Sequence, residues 1–209
     1  MNKKLSTEII EQLRKIITNP VCELDFSNNF ELLCAVMLSA QTTDKRVNLV
    51  TKELFCKFST PKALMQANYD DVYSIISSVG LAKTKTINLI KLAKVIHLQF
   101  HDQVPNDFES LVSIPGVGRK TANVVLAVGF KIPAMPVDTH LHRLAIRLGY
   151  IKKNQSVLEA EESLKKYIPK EWWIEAHHLF LLFGRYYCKA TNPLCLNCSL
   201  KKYCKFNNE

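Results

Sequence analysis

Acidic residues are scarce in this chain of 209 residues, which has 19 Asp and Glu against 28 Lys and Arg and a formal net charge of +9. Such an excess favours a polyanionic partner, either nucleic acid or an anionic membrane surface. A basic surface can also simply keep a protein in solution, and the net charge by itself does not choose between these explanations.

Long hydrophobic runs are also missing. The longest apolar run, residues 124–130, is far too short to cross a bilayer. Residues 1–4 carry the charge of a signal peptide, but a polar stretch follows where an apolar core would be needed. No repeat of fixed period and no Gly/Ser-rich or Pro-rich tract is present. We therefore expect a cytoplasmic protein that makes no membrane contact.

Sustained alternation of polar and apolar residues, the sign of a half-buried strand, is absent as well. Apolar residues recur at helical spacing instead, as in the stripe formed by Leu89, Leu92, Ala93, Ile96 and Phe100. With 47% hydrophobic residues the chain can bury one sizeable core or two small ones. We predict an all-α fold of roughly ten helices with short loops.

Several helix starts are predicted from local capping signals. These signals are Ser6, Asn28 with Glu31, Thr60 before Pro61, and Ser156 with Glu159. The second of them opens an apolar helix that should run to Ala40, and a long apolar helix is predicted over residues 172–187.

The positive charge is concentrated in residues 83–94, 119–147 and 185–209, and each of these segments has a net charge of +4. Together they account for +12, so the rest of the chain is near −3. This concentration favours an electrostatic footprint for a polyanion over an even spread of solubilising charge.

Residues 107–130 predict two helices joined by a tight turn. The first helix ends near Ser113, residues 114–118 (Ile-Pro-Gly-Val-Gly) form the turn, and a second helix starts at Arg119 or Lys120. Gly116 and Gly118 permit positive φ and remove Cβ atoms from the turn. Backbone N–H groups of the turn and of the following helix start then form a site for an anion. The segment resembles the helix-hairpin-helix motif, which grips a DNA phosphate without reading sequence. A plain αα-hairpin with glycines for packing is the alternative.

Two polar residues near this turn are candidates for chemistry. Lys120 stands beside Arg119 at the positive end of the second helix, where its amine can act as a nucleophile or contact a further phosphate. Asp138 precedes a predicted helix over residues 139–149 and is a good N-cap. Its carboxylate can also orient the lysine or stabilise positive charge on a sugar ring as a glycosidic bond breaks. The local sequence leaves both roles of Lys120 open and favours the cap at Asp138.

The chain has seven cysteines and no secretion signal, which argues against a disulfide framework. Four of them fall within 17 residues at the spacing Cys-x6-Cys-x2-Cys-x5-Cys, namely Cys188, Cys195, Cys198 and Cys204. Four thiolates in a compact loop can hold zinc or a four-iron cluster. Structural zinc usually uses two short Cys pairs, and because only one is present here, iron is favoured. Cys22, Cys34 and Cys56 are predicted to be core or inert thiols.

The hairpin and the cysteine spacing occur together with three further motifs. These are Leu-Ser-Ala-Gln-Thr-Thr-Asp at 38–44, Val-Asp-Thr-His at 137–140 and His-His at 177–178. With Ile-Pro-Gly-Val-Gly-Arg-Lys-Thr-Ala-Asn-Val-Val at 114–125, they resemble the bacterial endonuclease III family over nearly the whole chain.

The resemblance implies a fold of two all-α lobes. A six-helix lobe would cover residues 22–132 and contain the hairpin at 107–130. Residues 1–21 would join residues 133–209 in a second lobe, in which the loop at 188–204 carries one [4Fe-4S] cluster per chain. DNA would lie across the cleft with the damaged nucleotide flipped out of the stack. The cluster would be structural or DNA-sensing.

The resemblance further implies a bifunctional DNA glycosylase and AP lyase. Lys120 would attack the sugar C1′ and expel an oxidised pyrimidine with the help of Asp138, and the resulting Schiff base would promote β-elimination 3′ to the abasic site. Gln41 would fill the gap left by the flipped base, and Leu81 would wedge into the opposite strand. The other expected DNA contacts are Ile114, Gly116, Val117, Gly118, Arg119 and His140. The expected partner is double-stranded DNA with damaged pyrimidines or abasic sites, bound by a cytoplasmic, nucleoid-associated monomer.

One segment departs from the family pattern. The loop between the first two clustered cysteines, residues 189–194, keeps a single basic residue where family members commonly have several. Its phosphate contacts are therefore in doubt, and Lys201, Lys202 and Lys205 are candidates to replace them.

Two rival functions differ from the enzyme in testable ways. The adenine-mismatch glycosylases share the hairpin, the aspartate and the cluster, but they lack the lysine and add a C-terminal domain. This chain has Lys120 and ends five residues after Cys204, which disfavours that function. A non-catalytic DNA-binding or redox iron–sulfur module is the rival from another class, and borohydride trapping on abasic DNA separates it from the enzyme.

Overall fold

The computed structural model describes residues 1–206, in which helices and connecting turns occur and no β-strand is found. The prediction of an all-α fold is confirmed. This part of the chain contains eleven α-helices: α1 (Lys3–Ile16), α2 (Asn29–Leu38), α3 (Asp44–Lys57), α4 (Pro61–Met65), α5 (Tyr69–Ile76), α6 (Ala82–Phe100), α7 (Phe108–Ser113), α8 (Arg119–Val124), α9 (Thr139–Arg147), α10 (Val157–Tyr167) and α11 (Trp173–Tyr186). A π-helical turn (Val125–Gly129) extends α8, and 3-10 turns occur at Lys170–Trp172 and Lys201–Tyr203. None of the described helices has both the length and the apolar character needed to cross a bilayer.

The chain divides into two compact units. The hairpin unit is Glu23–Ile132, and the cysteine unit joins Met1–Cys22 to the chain from Pro133 onward. Residues 207–209, which belong to the predicted second lobe, lie outside the described residues. The hairpin unit holds α2 to α8, one helix more than the six that the resemblance implies, and one of these, α4, is only five residues long. The cysteine unit holds α1 and α9 to α11.

Local capping signals set most of the helix starts. The Asn28 side chain accepts a hydrogen bond from the Glu31 N–H at 3.0 Å, and Thr60 caps α4 in the same manner. Ser156 and Glu159 form the predicted capping box. These three starts are confirmed because each depends on residues no more than three positions apart.

Two predicted helix limits were wrong. Helix α1 begins before Ser6, because Asn2 caps it by accepting a hydrogen bond from the Leu5 N–H at 2.8 Å, and Ser6 is buried inside the helix. Helix α2 ends at Leu38 and does not reach Ala40. At the start of α1, the N-cap Asn2 precedes the predicted cap Ser6 by four positions and begins the helix earlier.

Helix α6, with 19 residues, is the longest of the described helices and runs through the hairpin unit. Helices α2, α4 and α5 pack against it. Its predicted stripe is buried at Leu89, Leu92, Ala93 and Ile96, and Phe100 is half-buried. Helix α2 also packs against α8 and the π-helical turn, so the second helix of the hairpin rests on a buried element.

Helix α11 organises the cysteine unit. Helices α1 and α9 pack against it, and α10 packs against α9. Leu141, Leu179 and Phe180 are central members of the core. Arg14 of α1 donates two hydrogen bonds to the Glu175 carboxylate of α11, at 2.8 and 2.6 Å, and this pair ties the N-terminal helix to the unit.

Candidate DNA interface and active-site residues

The predicted hairpin lies in the hairpin unit. Helix α7 ends at Ser113, and α8 begins at Arg119, both as predicted. The Val117 N–H donates to the Ile114 carbonyl at 3.0 Å within the reversal of residues 114–118. The side chains of Ile114 and Val117 are only 2% and 6% exposed. Any contact that these two residues make with a ligand is therefore through the main chain.

The two glycines of the turn have different structural roles. Gly116 has a φ of +81°, and a Cβ at this position would lie 2.9 Å from Met37 Sδ and 3.0 Å from Asn88 Cβ. Both the backbone conformation and the close packing therefore require glycine. Gly118 has a φ of −91°, and a Cβ there would meet nothing within 4 Å. Gly116 thus uses the positive φ that glycine permits, whereas Gly118 does not, and its missing side chain only leaves the outer face of the turn open.

The first turn of α8 is open to solvent. Gly118, the N-cap, supplies no side-chain acceptor, so no side chain caps the leading N–H groups of the helix. Arg119 and Lys120 are both exposed, and the Arg119 guanidinium lies 5.0 Å from the centre of the Phe108 ring. The Lys120 amine makes no hydrogen bond or ion pair with any residue in 1–206. It is therefore available to an incoming molecule.

Gln41 and Leu81 come together at a second exposed element of the hairpin unit. Gln41 follows α2 with a φ of 54°, and Leu81 precedes α6 with a φ of 60° and 59% exposure. A Cβ at Gly80 would lie 2.7 Å from the Gln41 carbonyl oxygen, so the two turns are in close contact. Non-glycine residues in the left-handed region cluster at functional sites, and an exposed leucine there is typical of a surface that meets a partner.

Lys85 belongs to the predicted basic segment 83–94 but does not face solvent. It is 5% exposed, and its Nζ donates to the carbonyls of Leu38 at 2.7 Å and Ala40 at 2.6 Å and to Thr42 Oγ1 at 3.2 Å. Burial lowers the pKa of Lys85. Counting this lysine in a footprint for a polyanion was wrong, because its charge is used inside the unit.

Asp138, in the cysteine unit, caps α9 as predicted. Its Oδ1 accepts a hydrogen bond from the Leu141 N–H at 2.8 Å. Its second carboxylate oxygen has no hydrogen-bond partner within the part of the chain that the structure describes. The segment before it is held by His177, whose Nδ1 lies 2.9 Å from the Pro136 carbonyl oxygen. Asp138 therefore combines a structural role with one oxygen that remains open.

The sequence analysis assigns a role to His140, as an expected DNA contact, but assigns none to His177. His140 is half-buried in the first turn of α9, where its Nδ1 lies 3.3 Å from Arg143 and its backbone packs closely against Gly184 of α11. The sequence identifies His177 only as part of the His-His motif and gives no sign of its contact with the Pro136 carbonyl. That contact spans 41 positions of sequence, so no local pattern could indicate it.

Two arginines of α9 hold the start of the cysteine loop. Arg147 Nη1 donates to Cys188 Sγ at 3.0 Å and to the Lys189 carbonyl at 2.9 Å. Arg143 donates to the carbonyls of Cys188 at 3.1 Å and Gly184 at 2.6 Å. Both arginines had been counted in the basic segment, but Arg147 is 8% exposed. Their charges stabilise the C-terminal end of α11 and the thiol of the first clustered cysteine.

The four clustered cysteines are half-buried, and among residues 1–206 no three Cys, His, Asp or Glu side chains converge as ligands of a single metal ion. Burial raises the pKa of Cys198, and the charges of the other three cysteines raise it further, so the four thiols are close enough to influence one another. Cys195 and Cys198 border a cavity of about 470 Å³. An all-thiol donor set beside two arginines fits an iron–sulfur cluster, whose ligands surround a core of several atoms.

The scattered cysteines differ in their surroundings. Cys34 is fully buried in α2, and this burial raises its pKa, as expected of an inert core thiol. Cys56 is exposed, so the prediction of a core thiol was wrong for it. Cys22 is half-buried.

Known proteins match this chain over most or all of its length. Residues 34–170 match the model of the HhH-GPD superfamily of base excision DNA repair proteins. The chain is 43% identical to endonuclease III of Bacillus subtilis (98% of this chain, 94% of that protein) and 43% identical to endonuclease III of Rickettsia felis (100% and 97%). Among solved structures, it matches an endonuclease III trapped as a covalent intermediate with DNA, with a TM-score of 0.96, 43% identity and coverage of 100% of this chain and 98% of that chain. The hairpin and Asp138 both fall in the range that the superfamily model matches.

Proposed function

This chain belongs to the endonuclease III family, within the HhH-GPD superfamily of base excision DNA repair proteins, and we propose that it removes oxidised pyrimidines from double-stranded DNA and cuts the strand 3′ to the abasic site. As a member of that family it is a DNA glycosylase and AP lyase. The observation that carries the proposal for this chain is the exposed amine of Lys120, which has no partner in residues 1–206 and lies two residues after the glycine turn.

Lys120 is the nucleophile in this proposal. Its Nζ forms a bond to the sugar C1′ while the bond from C1′ to the base breaks, and the base leaves with the proton that neutralises it. Opening of the sugar ring converts the new bond into a Schiff base. Removal of a proton from C2′ then breaks the C3′–O bond and expels the 3′ phosphate, and hydrolysis of the imine returns the free amine. The relative that was captured as a covalent intermediate with DNA supports a route of this kind.

Asp138 stabilises the positive charge that develops on the sugar as the glycosidic bond breaks. The oxygen that accepts from the Leu141 N–H fixes the carboxylate, and the other oxygen remains for the reacting groups. A preoriented carboxylate of this kind needs little rearrangement during the reaction, which is the condition for effective charge stabilisation.

The hairpin grips the DNA backbone. The main-chain N–H groups of Gly116 and Gly118 and the uncapped start of α8 receive a phosphate, and the absence of a Cβ at Gly118 lets that phosphate approach. Arg119 adds charge beside it. Because these contacts are to the backbone, affinity for undamaged duplex should fall with salt at a log–log slope of roughly −3 to −6.

Gln41 and Leu81 act on the opened duplex. Gln41 occupies the space of the flipped nucleotide, and Leu81 inserts between bases of the other strand. The exposure of Leu81 and the left-handed backbone at both positions support this role. His140 provides a further DNA contact from the first turn of α9.

Cys188, Cys195, Cys198 and Cys204 hold one [4Fe-4S] cluster. When bound, the cluster ties the segment after α11 into one piece or senses DNA, and it does not act on the base. Arg143 and Arg147 fix the first of its ligands. We expect brown protein with iron and sulfide in equal amounts. One zinc and no iron after anaerobic purification would sink this assignment.

Lysines outside the sparse loop 189–194 supply positive charge in the cysteine unit. Lys201, Lys202 and Lys205 are exposed, and Lys205 lines a cavity of about 440 Å³ with four other basic residues, Arg143, Arg147, Lys152 and Lys153. The charges of Lys201, Lys202 and Lys205 can compensate for the missing loop charges. The protein acts as a monomer in the cytoplasm, in association with the nucleoid.

A duplex with one oxidised pyrimidine tests the proposal. The protein should release the damaged base and leave a nick with a 5′ phosphate on one side and an unsaturated aldehyde on the other. Binding without base release or strand cleavage would point to a non-catalytic iron–sulfur module. Release of adenine from a mismatch, with no cleavage, would point to the adenine-mismatch glycosylases.

A further inference from the structure

Lys85 stands where three separate pieces of the hairpin unit meet. Its side chain reaches from the first turns of α6 to the C-terminal end of α2 and to the loop that follows α2. The carbonyls of Leu38 and Ala40 lie at that helix end, where α2 leaves backbone acceptors without helical partners and where its dipole is negative. A buried ammonium at this point satisfies both carbonyls at once.

Thr42 extends the contact to the turn before α6. Its Oγ1 lies 3.2 Å from Lys85 Nζ and accepts a hydrogen bond from the Gly80 N–H at 3.0 Å. Gly80 in turn lies against the Gln41 carbonyl, and Leu81 follows it. One lysine and one threonine thereby join the loop that presents Gln41 to the turn that presents Leu81.

The backbone conformations of Gln41 and Leu81 need support from surrounding contacts. Gln41 and Leu81 both have left-handed backbone, which non-glycine residues keep only where the surroundings enforce it. Both side chains are exposed, so their own packing cannot supply the enforcement. The hydrogen bonds around Lys85 and Thr42, which are buried or part-buried, link the two turns.

We propose that Lys85 is a positioning residue that locks the Gln41 loop and the Leu81 turn into one rigid element, prearranged for insertion into the DNA duplex. The inference rests on the proposed function, in which Gln41 and Leu81 enter the DNA. Burial lowers the pKa of Lys85, so its charge is kept at a desolvation cost that the three oxygen acceptors offset. A lysine placed for general surface charge would not be buried in this way.

Lys85→Met and a matched control, Thr86→Val, separate positioning from stability. Thr86 is the next residue, is fully buried, and donates only within α6, to the Ala82 carbonyl at 2.9 Å. Both variants should lower the Tm of the cluster-loaded full chain. Only Lys85→Met should raise KM for damaged duplex, by about tenfold with kcat little changed, because the freed turns must be ordered on binding.

Base displacement gives a readout that stability alone does not move. A duplex with 2-aminopurine opposite an uncleavable abasic analogue should brighten when wild-type protein or Thr86→Val binds. With Lys85→Met the rise should fall to the level of Gln41→Ala and Leu81→Ala. Wild-type brightening and KM in Lys85→Met would overturn the inference and leave the lysine a stabilising residue only.

Hydrogen exchange keeps the inference distinct from the proposed roles of Gln41 and Leu81. If Gln41→Ala and Leu81→Ala leave the fluorescence unchanged, those roles fail, yet amides of residues 39–43 and 79–81 should still exchange faster in Lys85→Met than in Thr86→Val. Equal exchange would overturn the lock itself. Should Lys85→Met not fold, Thr42→Val carries the same tests, because it removes the oxygen shared by Lys85 and Gly80.

Discussion

The hairpin turn (residues 114–118, with the start of α8) and the α9 corner of the cysteine unit (residues 138–147) use their polar groups in opposite ways. At the hairpin, the α8 start has no side-chain cap, and Lys120 has no partner within residues 1–206. At the α9 corner, Asp138, Arg143 and Arg147 all hold backbone of their own unit. The contrast teaches that charge counted along a sequence is not charge available to a ligand. Groups without internal partners are the candidates for binding and chemistry.

Asp138 belongs to both kinds of group, because one carboxylate oxygen caps α9 and the other has no internal partner among the described residues. Asp138→Asn should keep the cap and the Tm, since Asn caps helices about as well as Asp. Base release should fall by roughly 10²-fold or more, because the charge-stabilising carboxylate is gone. Single-turnover glycosylase assays and thermal melts measure the two effects. Wild-type turnover in this variant would place Asp138 among the purely structural groups.

Gly116 lies on the packed inner face of the hairpin turn, and Gly118 lies on its open outer face. Gly116→Ala should destabilise the protein by about 1–3 kcal/mol, because it combines left-handed backbone with a close contact to Asn88. It should also weaken binding to damaged and undamaged duplex alike. Gly118→Ala should leave the free energy of unfolding unchanged, because its Cβ enters open space.

DNA binding by Gly118→Ala tests the phosphate contact without a change in stability. We expect an affinity loss of about 1–2 kcal/mol for damaged and undamaged duplex alike, as for a lost backbone contact to phosphate. Titrations at fixed salt measure it. Undiminished binding by this variant would mean that the phosphate does not approach at the outer glycine.

The smallest effect is expected at the Arg14–Glu175 pair, in which each side chain has its partner inside the cysteine unit. The hydrogen bonds from Arg14 lower the pKa of Glu175. A lowered pKa stabilises the folded state above the unfolded-chain pKa of about 4.3, and this stabilisation is lost as pH falls through the folded value. Glu175→Gln should cost about 0.5–1 kcal/mol at pH 7, after allowance for screening at these half-exposed side chains. Denaturant melts should show that difference shrinking between about pH 5 and pH 3; a constant difference would argue against the ion pair.

Features set by neighbouring residues could be predicted from the sequence. The caps at Asn28, Thr60, Ser156 and Asp138 each depend on a contact three residues away, and all four are present. The start of α8 and the glycine turn were predictable for the same reason. The resemblance to a known family supplied the chemistry that local sequence left open at Lys120.

Features set by distant contacts could not be predicted. Lys85 appeared to be surface charge because its acceptors lie more than 40 positions away in the chain. The arginines of α9 were miscounted for the same reason, since they bind the start of the cysteine loop 41 to 45 positions on. Cys56 was misassigned because apolar neighbours in sequence do not ensure burial. For the lysine and the arginines, the partner is brought in by the fold.

The most direct test of the central claim, that Lys120 is the nucleophile, is borohydride trapping on abasic duplex followed by mass-spectrometric mapping of the cross-linked residue. The wild-type protein should carry the reduced adduct on Lys120, and Lys120→Gln should lose both the adduct and base release while still binding an uncleavable abasic analogue nearly as well. An adduct on another lysine, or persistent trapping by Lys120→Gln, would contradict the account.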